Sequence, residues 1–186
     1  MPFSTLPKMG RESRPKALMT LSMYDISVPV LKRGLTNLSA QLKKAEVSAE
    51  ARKIDPSIFV TARLAPDMHP LARQVQIASD GAKGGVARLT DSEAPSFPDT
   101  ETTFADLHDR IAKTIAYLDT LKAEQFDDAQ TREIVLKTPG GDFPFTGQSF
   151  ALTFMLPNFF FHLATAYAIL RHNGVEIGKR DFIGGA

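Results

Sequence analysis

Residues 147–174 read GQSFALTFMLPNFFFHLATAYAILRHNG, and this stretch decides the fold. Its run from Phe150 to Leu170 carries no charged residue and closes on Asn173-Gly174, a common helix C-cap pair. The cluster Phe154, Phe159, Phe160 and Phe161 makes the helix apolar nearly all round, so it is expected at the centre of the fold as the best-buried helix. Asn158, His162 and Thr165 interrupt it. Their i, i+4, i+7 spacing puts them on one face with Met155 and Ile169, the face expected to point inward.

Three more helical periods lie upstream. Met23, Ile26, Val30, Leu31, Leu35, Leu38 and Leu42 recur at three- and four-residue steps and predict a first helix over 22–50, which Pro29 either kinks or starts. A connection with Asp55-Pro56 and Ala65-Pro66 follows, and its middle, 58–64, reads as a short strand or a helical turn. Pro70 opens a second helix over 70–90 with the stripe Leu71, Val75, Ala78, Ala82, Val86, Leu89, and His69 stands at its N-cap or beside it. Gly81, Gly84 and Gly85 weaken this helix, each by close to 1 kcal/mol relative to alanine, and suggest a second helix in close approach. A third helix is expected over 102–123 with Thr102 as N-cap and Phe104, Leu107, Ile111, Ile115 and Leu118 inward; the fourth covers 149–172. Between them REIVLK (132–137), TPGG (138–141) and FPF (143–145) spell a hairpin, with Pro144 confining its second arm to an edge. The fold class is all-α, a four-helix bundle with a small hairpin between helices three and four.

At 186 residues the chain fits one domain, here 21–186, preceded by a proline- and base-containing segment, 1–20, expected to be a flexible tail. An organelle-targeting presequence is the rival, although Pro2, Pro7 and Pro15 would interrupt the helix it needs, and Met19 or Met23 is an alternative start. Residues 1–19 hold four bases against one acid, which leaves a nearly neutral body under the overall charge of +1. A neutral body without a basic stripe argues against nucleic acid as a partner. No apolar run approaches the roughly 18 residues of a membrane span, so no membrane is expected either. The absence of cysteine excludes disulfides, thiolate zinc sites and cysteine nucleophiles, and fits a cytoplasmic location.

Glycine-rich phosphate loops, HExxH, nucleophile elbows and CxxC are all missing. The remaining candidates are the polar residues of otherwise apolar helices: Asn158, His162 and Thr165, Gln76 and Asp80 on the second helix, and His69 at its mouth. Each also has a bland reading. A core histidine more often bonds an interior carbonyl, and Gln76 with Asp80 more often form a hydrogen-bond network than a site. His108 and His172 read as exposed helix-face residues.

The stretch from Pro157 to Gly174, with its late-helix histidine, Leu170-Arg171 pair and Gly174, resembles the DinB-like (YfiT-like) superfamily of helical bundles, many of whose members depend on a metal. PLARQVQIASDGAKGGVARL (70–89), LPNFFFH (156–162) and AYAILRHNG (166–174) resemble more closely a bacterial and fungal branch of it known only as a domain of unknown function. The resemblance implies that the superfamily's late-helix HxxxH falls on Asn158 and His162, so that one imidazole is an amide here. For the helix-two histidine, Gln76 is the first choice and His69 the second. Zinc or nickel prefers imidazole and carboxylate donors, which leaves this set of His162, Asn158, Gln76 and His69 a degenerate metal site. The resemblance also implies a homodimer.

Two functions of different class follow. In one the bundle is an enzyme that holds a small-molecule ligand, with His162 as general base near neutrality and thiol addition, as in thiol-transferring relatives, as its reaction class. In the other it is a non-catalytic binding or structural protein whose polar residues fix helix register. A sealed His162 favours the second; an open cavity with unpaired Asn158 and Gln76 favours the first.

Overall fold

A computed structural model describes residues 21–138 and 140–185; the 1–20 segment and Pro139 of the expected turn lie outside them. The chain is mostly helical with one small antiparallel hairpin. α1 spans Val28–Arg52, α2 Pro56–Thr61, α3 Leu71–Thr90 and α4 Phe104–Asp119. A 3-10 turn, Ala123–Phe126, leads to strands β1 (Glu133–Thr138) and β2 (Gly141–Thr146). α5 (Gly147–Phe150), a π turn (Ala151–Met155) and α6 (Leu156–His172) then run on as one rod, and α7 (Lys179–Ile183) returns to α1.

Of the two roles open to Pro29, the structure takes the start: it sits in the first turn of α1, where its missing N–H has no partner to lose. Residues 22–27, expected to be helical, form a turn closed by the Ser27 hydroxyl on the Met23 carbonyl. The 58–64 segment holds helix rather than strand, because Asp55 caps Ser57 and Pro56 presets the first turn. α4 starts one residue later than expected. Thr103, not Thr102, caps it, since only Thr103 stands three before Asp106 and can exchange both bonds of a capping box with it. It also ends at Asp119, after which the chain turns to bring Leu121 and Phe126 into the core.

Packing runs α1 on α4 and α6, and α3 on α4 and α6, with α3–α6 the most extensive seam. The buried core collects Leu31, Leu35, Leu38 and Leu42 from α1, Leu71, Val75 and Val86 from α3, Leu107 and Ile111 from α4, and Phe159, Leu163 and Ile169 from α6. Ile134 and Leu136 of the hairpin join it, while Val135, opposite Pro144, stays outside.

The expectation of an all-round buried fourth helix fails. Phe161 is 57% exposed and Leu152 48%, and Phe154 and Phe160 also show more than a third of their surface. The rod packs mainly against α3 and α1, so part of its apolar surface stays outside. The rod from Gly147 to His172 is long and apolar enough to cross a membrane by length and composition, with a mean hydropathy of 1.3 over its most apolar 18 residues, against the expectation of no such run. Asn158, His162 and Thr165 divide the stretch without lowering that average enough.

Candidate functional site

Pro157 shapes the site's approach. It has no N–H for the carbonyl four residues back, and the preceding turn is wound wider: Leu156 N–H bonds the Ala151 carbonyl, an i→i−5 step. Beyond it α6 lies tightly on its neighbours. A Cβ on Gly85 would fall 2.4 Å from Met155 Sδ, and one on Gly34 2.6 Å from Phe159 Cε1, so both contacts require glycine. Gly81 faces Asn158, whereas Gly84 faces only Arg88. Two of the three α3 glycines therefore mark the helix approach that the sequence suggested.

His162 is inward-facing and 8% exposed. Its Nδ1 lies 2.7 Å from Gln74 Oε1, and Gln74 Nε2 donates to the His69 carbonyl at 2.9 Å. With the amide so oriented, Oε1 accepts; the imidazole proton is assigned to Nδ1 and the lone pair to Nε2. Nε2 has no partner among the described residues. Burial, then the nearby charges of His69 and Arg73, push the His162 pKa below its ordinary value, so the neutral ring is the working form. Thr165 turns its hydroxyl back to the Phe161 carbonyl.

The other expected members do not all converge here. Gln76 is two residues, and so about 200°, round α3 from Gln74. It faces the loop that leads into α4, where it donates to Glu101 at 2.8 Å, and it accepts from Arg73 of its own helix at 3.2 Å. Gln74, which sequence reasoning passed over, occupies the place facing His162; its signal was its position on the Leu71–Ala78 stripe. His69 lies exposed just before Pro70, which holds the N-cap. Asn158, one turn before His162, is half-buried and lines a cavity of about 260 Å³ with Gly81, Arg88, Leu136, Lys137 and Phe154. His172 is exposed as expected, but His108 is half-buried and bonds Ser39.

Asp80 belongs to a separate cluster. Arg110, 1% exposed, meets Asp80 at 2.8 Å, Asp99 at 3.0 Å and Glu101 at 2.8 Å. Lys83 joins through Asp80 and lies over Phe97, and Arg73 pairs with Asp99. Three bases thus face three acids, binding the 92–103 loop to α3 and α4. Burial works against the Arg110 charge, but the Glu101 hydrogen bond and the carboxylates more than offset it and raise the pKa.

As a metal centre the donor set is poor. Among the described residues no group of three His, Asp or Glu side chains is arranged to hold a metal ion, the acids around Arg110 being taken up by that guanidinium. The His162 Nε2 lone pair is one donor; Asn158 adds an amide, and Gln76 is held by Glu101.

Comparison with known proteins agrees with the fold. Residues 23–183 match the family described as Domain of unknown function (DUF1993). A crystal structure of a DinB family member protein from Shewanella denitrificans is 45% identical, with a TM-score of 0.82 over 88% of this chain and 93% of that one. No curated protein matches. With a family match across most of its length and a relative of this identity, the chain belongs to the DUF1993 family, a branch of the DinB-like helical superfamily.

Proposed function

We propose that the protein is a DinB-like four-helix bundle that binds a small carboxylate ligand without a resident metal, in the cavity over Asn158. The carrying observation is the cavity's composition. Leu136, Phe150, Phe154 and Met155 supply an apolar wall, Arg88 and Lys137 supply cations at the rim, and the Asn158 amide has no hydrogen-bond partner among the described residues. An apolar body with one carboxylate satisfies all three features. About 260 Å³ suits a compact aromatic or branched aliphatic acid.

The test is a thermal-shift screen of small carboxylates against the wild type, Asn158→Ala and Arg88→Met. Stabilisation in the wild type that weakens in both variants supports the assignment. Equal shifts in all three reject it.

One observation favours a catalytic variant of this function: the His162 Nε2 lone pair one turn beyond Asn158 is a base suited to a thiol proton. Conjugation of a small thiol to an activated aryl halide, lost in His162→Ala with the fold retained, would establish it. No such loss leaves the protein a binder.

The outer face of α6 supports the homodimer. Phe160, Phe161 and Leu152 are large apolar side chains exposed together on one rod. Light scattering should give twice the chain mass in the wild type and the chain mass in Phe160→Asp/Phe161→Asp; a monomeric wild type at micromolar concentration removes the dimer.

A further inference from the structure

On the far side of the molecule, α1 and α4 bring together three side chains that neither the fold nor the carboxylate cavity uses. Ser39 Oγ lies 2.8 Å from His108 Nδ1, and His108 Nε2 lies 3.8 Å from Glu46 Oε1. Nε2 is fully enclosed and has no hydrogen-bond partner among the described residues. A buried imidazole nitrogen without a partner is unusual in a purely structural contact and calls for an explanation. The nearby carboxylate supplies one: it favours the tautomer with the proton on Nε2, which leaves the Nδ1 lone pair to accept the Ser39 hydroxyl. Serine, imidazole and carboxylate then stand in the order that activates an alcohol as a nucleophile.

The surroundings suit an acyl substrate. Ser39 and His108 open onto a groove of about 600 Å³ whose other walls are Thr36, Ala40, Ile111, Ala112 and Ile115, an apolar trough along the seam. Lys43, one turn beyond Ser39, brings a cation to the same groove, held 2.6 Å from Glu46. Mid-helix serine has no free backbone N–H beside it, so the Lys43 ammonium is the group that would face the oxyanion.

We infer that Ser39, His108 and Glu46 form an acyl-transfer site for esters of apolar acids. Ser39 Oγ bonds to the carbonyl carbon while its proton passes to His108 Nδ1. The carbon–oxygen bond to the alcohol then breaks, and the departing alkoxide takes that proton. Water repeats the sequence on the acyl-serine, which releases the acid and restores the hydroxyl. Ser39 and His108 touch the reacting atoms; Glu46 is a positioning residue acting through His108.

The experiment is reaction of the full chain with a fluorophosphonate, mapped by peptide mass spectrometry, alongside hydrolysis of p-nitrophenyl butanoate. The expected adduct is on Ser39, absent in Ser39→Ala and formed roughly 100-fold more slowly in His108→Gln. Glu46→Gln should lower kcat for the ester with KM unchanged, an effect that a helix-pinning contact alone would not produce. Circular dichroism establishes that each variant is folded. The wild-type mapping needs no variant, so an unstable Ser39→Ala does not spare the idea. No adduct on Ser39 in the wild type, or an unchanged labelling rate in folded His108→Gln, overturns the site and leaves the Ser39–His108 bond a link between α1 and α4.

Discussion

α3 carries two seams of opposite chemistry. Toward α6 it presents Gly81 and Gly85, close helix approach, and one neutral link from Gln74 to His162. Toward α4 and its leading loop it presents Arg73, Asp80 and Lys83, which meet Arg110, Asp99 and Glu101 in a network of full charges to which Gln76 adds a neutral bond. The first seam depends on shape, and a single methyl group disturbs it. The second depends on charge balance, where removing one partner does more harm than removing all. The difference also says where a ligand finds more room: the cavity between the loop and α4, over Glu101 and Arg110, is about 150 Å³ and its charges are already paired, whereas the glycine side leaves Asn158 unpaired beside one of about 260 Å³.

The largest effect is expected from Arg110→Ala. It strands Glu101 in a largely buried position and removes the centre of the network, at about 3 kcal/mol, a figure held down by the partial exposure of Asp80 and Asp99. Urea denaturation checks it. Arg110→Met combined with Asp80→Asn, Asp99→Asn and Glu101→Gln should recover most of the loss; if it does not, the seam is not governed by charge balance.

Next comes the glycine seam. Gly85→Ala should destabilise by about 2 kcal/mol, because Met155 is buried in the π turn and must move. Gly84→Ala, whose Cβ meets only the exposed Arg88 guanidinium at 3.0 Å, should instead stabilise by roughly 0.5–1 kcal/mol through helix propensity. Equal signs for the two would break the assignment of Gly85 to the α6 contact.

The reach of the sequence follows the same division. Shape-governed features were legible, since apolar period and glycine spacing report helices and close approach directly: four long helices, the hairpin, and an inward His162. Charge-governed features were not. Arg110 lies on the inward Leu107–Ile111–Thr114 side of α4, yet an inward arginine is recognisable only once Asp80, Asp99 and Glu101, from a helix and a loop, are known to meet it. Gln74 was passed over, with Gln76 the first choice and His69 the second, because the stripe gives the buried faces of α3 without saying which faces α6. The fourth helix was overestimated as core because composition does not reveal how many neighbours a helix has.

A smaller effect distinguishes His162. Its folded pKa lies below the unfolded value near 6.5, so between the two the unfolded chain binds the extra proton. Its contribution is full above the unfolded value and is lost as pH falls through the folded one. Wild-type stability should therefore drop more than that of His162→Gln between pH 7.5 and pH 5.5, with urea midpoints as the readout. Parallel profiles would mean the ring is protonated as easily inside as outside, and the neutral link to Gln74 would be wrong.

The smallest stability change is expected at Asn158, and there the seam is most informative. Its amide has no hydrogen-bond partner among the described residues, so Asn158→His without metal should stay within about 0.5 kcal/mol of the wild type. The substitution does place a second imidazole one helical turn before His162. His162 is already arranged as a metal-binding histidine would be: Nδ1–H is held by the Gln74 oxygen, and the Nε2 lone pair is left free. Two imidazoles at i, i+4 should then take zinc or nickel where one imidazole and an amide do not, giving calorimetric heat absent from the wild type. A folded Asn158→His that binds neither ion would mean that residues 158 and 162, though neighbours on one helix, do not face a common space. The cavity over Asn158 would then have to be separated from His162, and the thiol reaction dropped while the carboxylate site stood.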